Sequence, residues 1–171
     1  MNTQMTISEM MDLVYGPLQN WAQSFQGVAK IASDELQAWY YCQNNENVPK
    51  FILVWNGDTI RGNFQTAAIN RMSDFSFDLI VSRNRGLQID RGATLVWPKG
   101  NAEPLFKYVA QARDLIRCIS TSALAEWPID YRSTTKWDIP GWIVDAYRIN
   151  YTVANFLPET SEALVIGTSV T

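Results

Sequence analysis

Hydrophobic and polar positions alternate most regularly near the carboxyl end of the chain, where Tyr147, Ile149, Tyr151 and Val153 interleave with Arg148, Asn150 and Thr152. A period of two residues is that of a half-buried antiparallel strand. A polar stretch from Tyr131 and the turn Trp137-Asp138-Ile139-Pro140-Gly141 precede it, so the pattern predicts a hairpin whose long arm opens at Trp142 and ends near Phe156. A second alternation sets Phe75, Phe77, Leu79 and Val81 against Asp74, Ser76 and Asp78, predicting a strand over 73–82. The apolar run Phe51 to Trp55 ends at Asn56-Gly57. That dipeptide is a strong hairpin signal, so Ile60 to Gln65 is expected as its returning strand. Leu36 to Cys42, rich in aromatic residues at Trp39, Tyr40 and Tyr41, reads as a further strand. Ser33-Asp34-Glu35 before it has the composition of a helix start.

Two stripes have helical spacing. Thr6-Ile7-Ser8-Glu9 has the form of a capping box, and Ile7, Met10, Met11, Val14, Leu18, Trp21 and Phe25 recur behind it at steps of three and four. Gly16-Pro17 interrupts this stripe without changing its phase, which predicts a kink or two collinear helices. Asn101-Ala102-Glu103-Pro104 opens the second helix, whose stripe is Leu105, Tyr108, Val109, Ala112, Leu115, Ile116 and Ile119, with Lys107, Arg113 and Asp114 outward. The expected fold is α+β: an antiparallel (mixed) sheet with two helices packed on one face. Residues 1–157 form one domain on this reading. Residues 158–171, a linker from Pro158 followed by the apolar stretch Ala163 to Val170, form an arm or tail.

Composition narrows the chemistry. The 171 residues suit one domain, and seven each of Trp, Tyr and Phe supply both a core and a contact surface. There is no histidine, which removes the commonest general base and the commonest metal ligand. With only Cys42 and Cys118 besides, one chain lacks the ligands for a structural zinc site, and both thiols are expected to be free. No motif for a dinucleotide, a nucleotide phosphate or a nucleophile elbow is present. Asp74 and Asp78 share the polar side of one strand, where they either bind a cation, act as paired carboxylates or form a solvated face. No catalytic residue, cofactor or metal is assigned. No apolar run approaches the ~20 residues of a membrane span, and Met1 to Thr6 lacks a cationic, signal-like segment, so a protein acting where it is made is expected.

The net charge of −3 is unevenly spread. Residues 1–60 carry two basic and six acidic side chains, 61–117 carry nine and five, and 118–171 carry three and six. Opposite charge on different flanks of one domain suits head-to-tail association. Arg83, Arg85 and Arg91, with aromatic neighbours, form a candidate nucleic-acid surface, although the acidic pI of about 4.9 opposes that as a main role.

The order of elements, with the helix segment Leu105-Phe106, Val109-Ala110, Ala112-Arg113, Leu115-Ile116 and the later Tyr131-Arg132 and Ala146-Tyr147, Ile149, Tyr151, Val153, resembles the tail-terminator and tail-completion proteins of long-tailed bacteriophages. The resemblance spans roughly residues 5–157. It implies a non-enzymatic virion protein of the tail-neck region, assembled in the host cytoplasm. It further implies a ring, usually of six copies, that caps the tail tube, stops its growth and meets the head connector or stopper protein, with transient DNA contact in its lumen. A head-tail joining protein is the alternative within this group, and a nucleic-acid-binding module the alternative outside it. Arg83, Arg85, Arg91, Trp137 and Trp142 are the candidate interface or lumen residues.

Overall fold

A computed structural model describes residues 7–43, 48–60, 73–84, 104–122, 129–138 and 144–156. Helix α1 spans Ile7–Gln23 and is followed by strand β1, Val28–Ala32. Helix α2 (Glu35–Gln43), strands β2 (Lys50–Ile60) and β3 (Ser73–Asn84), helix α3 (Leu105–Ser122) and strands β4 (Ile129–Lys136) and β5 (Val144–Phe156) complete the order.

The α1 stripe buries Met10, Met11, Val14, Leu18 and Ala22. Pro17 lies inside the helix and removes one backbone donor, yet the element runs on to Gln23. It ends in a tight cap: the Gln26 amide donates to Gln23 O at 3.3 Å and the Gly27 amide to Ala22 O at 2.8 Å. This bond pair places Gln26 in the left-handed region, at φ 63°. Gly27 passes close to Phe25 and to the Ala22 and Pro49 carbonyls, and the chain enters β1 directly.

The sheet has five strands in the order β1-β2-β3-β5-β4. β1 pairs parallel with β2, and the other three pairings are antiparallel. The edge strands β1 and β4 therefore run in opposite directions. Phe51, Leu53, Phe75, Phe77, Leu79, Val81, Ile149, Tyr151 and Val153 line one face, under α1 and α3. Trp21 and Phe51 meet edge-on at 4.7 Å between ring centroids, and Phe25 stacks on Tyr108 at 5.1 Å, fastening both helices to that face. The α+β class and the mixed sheet agree with the sequence expectation.

Three expectations are corrected. Leu36 to Cys42 is not a strand but lies in α2, which packs on the opposite face, so the described helices number three. Asp34 caps it: its Oδ1 accepts from the Gln37 amide at 2.8 Å, its carbonyl accepts from the Ala38 amide at 3.1 Å, and Gln37 Oε1 accepts from the Ser33 amide at 2.6 Å. With Ala38 and Cys42 buried one turn apart, capping and packing override the aromatic strand preference. Second, Asn56-Gly57 is not a turn. β2 continues to Ile60, and the register shifts between Trp55, opposite Phe77, and Gly57, opposite Ser76, with Gly57 at φ +100°. The extra residue makes a bulge, and β3 is the partner that returns. Third, β1 was not anticipated, because five residues buried in the order intermediate, buried, exposed, exposed, buried carry no clean alternation.

The Thr6 hydroxyl, the segments 61–72 and 85–103, the turn 139–141 and the tail 158–171 lie outside the described residues.

Candidate functional site

On the second face, cations from the sheet hold both ends of α2. Arg148 donates to Glu35 in its first turn, and its Nε lies 3.3 Å from Asp78 Oδ2. Asp78 also accepts from Asn150 at 2.8 Å. At the other end, the buried Lys50 donates through Nζ to the Cys42 carbonyl at 3.3 Å, where a cation complements the helix dipole. Burial pushes the Cys42 thiol up to about 11, with the Ser82 hydroxyl and Lys50 pulling it down. Cys42 is therefore a buried thiol, and Cys118 is an exposed one. Asp78, proposed from sequence as half of a carboxylate pair, is already engaged by Arg148 and Asn150. No group of metal-ligating side chains occurs among the described residues.

On the first face, a cleft of about 450 Å³ opens between α3 and β4, the strand at the sheet edge. Arg113, Asp114 and Arg117 of α3 form one wall, and Asp130 and Tyr131 of β4 the other, with Tyr151 of β5 between them. The Arg113 guanidinium lies 4.2 Å from the Tyr131 ring centroid. Such stacking orients a cation without neutralising it. Arg117 pairs with Asp114 at 3.5 Å, and Arg132 approaches Asp130 at 4.0 Å. The Tyr151 ring stacks on Phe77 at 5.2 Å, and its buried hydroxyl has no hydrogen-bond partner. Burial raises the phenol, opposed by Arg113 and reinforced by Tyr131 and Asp114, so the hydroxyl is a neutral donor at ordinary pH.

The opposite flank is acidic. Helix α1, which lies over β1, carries Glu9 and Asp12 and no basic residue, whereas α3 carries Lys107, Arg113 and Arg117 against Asp114 alone. The Tyr15 hydroxyl donates to Ala29 O of β1 at 3.3 Å, and Asp12 is its neighbour one turn earlier.

Of the residues singled out from sequence, Arg83 and Trp137 are described, and both stand at one end of β5. Arg83 is partly buried and opposite Asp145, while the Trp137 amide donates to Ala146 O at 2.9 Å. The Trp137 ring packs into the second-face cluster, with the Arg148 guanidinium 5.4 Å from its centroid. They occupy opposite faces. Arg85, Arg91 and Trp142 lie outside the described residues. The α3–β4 cleft was not anticipated. Its only sequence signal was Arg113 on the polar side of a helical stripe, and its pairing with Tyr131 and Tyr151 depends on strand order and register.

Neither a protein-family model nor a curated protein matches the sequence. No described helix is long and apolar enough to cross a membrane.

Proposed function

We propose that the protein is a structural subunit of a phage tail-neck ring, of the tail-terminator type, that caps the tail tube and presents a joining surface to the head connector. The observation that carries this reading is the open sheet. Among the described residues β1 and β4 each pair on one side only, and they run in opposite directions. Setting β4 of one copy beside β1 of the next joins unlike surfaces in an antiparallel sense. Such a heterologous contact, repeated about an axis, closes into a ring. The acidic α1 flank and the basic α3 flank favour the same head-to-tail order.

On this reading the partners are further copies of the chain, the tube protein and the connector or stopper, with DNA passing through the lumen and Arg83 close to one end of the sheet. The protein works by shape and surface, without a cofactor. The test is electron microscopy of the purified protein mixed with tail tubes and, separately, with connector rings of the phage that encodes it. Density capping tube ends supports the terminator role. Binding to connectors alone moves the protein to head-tail joining, and binding to neither removes both roles.

A further inference from the structure

We infer that the α3–β4 cleft is the receiving half of a contact between copies of this chain, and that it takes the Asp12 carboxylate of the neighbouring copy between Arg113 and the Tyr151 hydroxyl. The inference rests on the ring reading and names the side chains that make its contact.

Three observations meet here. Arg113 has a ring beneath it but no ion-pair partner among the described residues, and the hydroxyl of Tyr151, which lines the same cleft, is a buried donor without an acceptor. Two donors without a protein acceptor in the lining of one cleft call for an anionic acceptor, and a carboxylate has two oxygens to offer them. On the other flank, exposed Asp12 is an acceptor with no donor among the described residues. The topology brings these together. If β4 is followed by the β1 of a second copy, that copy's α1, which lies over its own β1, comes to rest on the same face as α3 and beside the cleft. Asp114 and Asp130 in the cleft walls are each close to an arginine, Arg117 and Arg132, which leaves Arg113 as the cation without an ion-pair partner among the described residues there.

The experiment uses the full chain, with native mass spectrometry and sedimentation velocity over a concentration series, and circular dichroism to establish that each variant folds. Asp12→Lys and Arg113→Glu should each weaken self-association by about 30-fold or more. An equimolar mixture of the two variants should recover the assembly, because native contacts then alternate with charge-reversed contacts of opposite sign. Combining both changes in one chain should restore the wild-type assembly. Tyr151→Phe should weaken association while leaving the melting temperature of the monomer unchanged or higher, since it deletes a buried unpaired hydroxyl; a purely structural tyrosine would move stability alone. Folded single variants that assemble like wild type would overturn the cleft contact and leave the ring standing. A wild-type chain that is monomeric throughout would overturn both.

Discussion

Arg148 Nε lies 3.3 Å from Asp78 Oδ2, although the residue directly across the β3–β5 ladder from Arg148 is Ile80. The pair is diagonal, and its angle leaves the Nε–H without a hydrogen-bond acceptor, so the link is an ion pair. The Asp78 side chain is only 5% exposed and that of Arg148 25%. Removing the cation strands a buried carboxylate. Arg148→Met should therefore destabilise the fold by about 3 kcal/mol, and adding Asp78→Leu should recover most of that loss. Urea unfolding of the wild type, both single variants and the double variant measures the coupling. Additive effects would mean that the pair contributes nothing to stability.

The cap of α1 gives a pair of predictions with opposite signs. Gln26 holds φ 63°, a conformation that glycine adopts without strain, so Gln26→Gly should stabilise the protein by about 0.5 to 1 kcal/mol. A Cβ on Gly27 would stand 2.7 Å from Phe25 Cε2, 3.1 Å from Ala22 O and 3.2 Å from Pro49 O. Two of these are backbone atoms with little room to give, and Gly27→Ala should destabilise by about 1 to 3 kcal/mol. Thermal melts of the two variants should move in opposite directions, and a shift of both the same way would contradict this cap geometry.

The two cysteines should react unequally. Near neutral pH a thiol reagent should modify Cys118 in the folded chain and reach Cys42 only on unfolding, because Cys42 is fully buried. The linked pH dependence follows from the direction of the shift. Folded Cys42 keeps its proton up to about 11, against an ordinary value of 9.0. Its contribution is fully present below pH 9.0 and is lost as pH rises toward 11, since the unfolded chain ionises first. Tyr151, also raised, acts in the same direction. Cys42→Ala should flatten the alkaline fall in unfolding free energy, and an unchanged slope would assign that fall to other groups.

Much of the fold was legible because α1, α3, β3 and β5 are long and bury one side each, so periodicity alone marks them. The misread elements are those where a local signal competes with a distant one. In α2, three consecutive aromatics argued for a strand, but the Asp34 and Gln37 caps and the Arg148 and Lys50 contacts, one of them from 113 residues away, settle a helix. At Asn56-Gly57 the turn signal was genuine, and pairing with β3 beyond it converts the same glycine into a bulge. The cleft was harder to see. Tyr131 and Tyr151 are register partners across the β4–β5 hairpin, but the placement of α3 over that pair, with Arg113 on the Tyr131 ring, is a tertiary contact that alternation along a strand does not encode.

The central claim, that unlike flanks of this domain meet to close a ring, is tested most directly by native mass spectrometry of the purified chain across a concentration series, with negative-stain images of the assembled species. The account predicts one discrete assembly, six copies by the tail-terminator reading, with an open centre. A monomer at every concentration, or an unbounded ladder of sizes without closure, would contradict it.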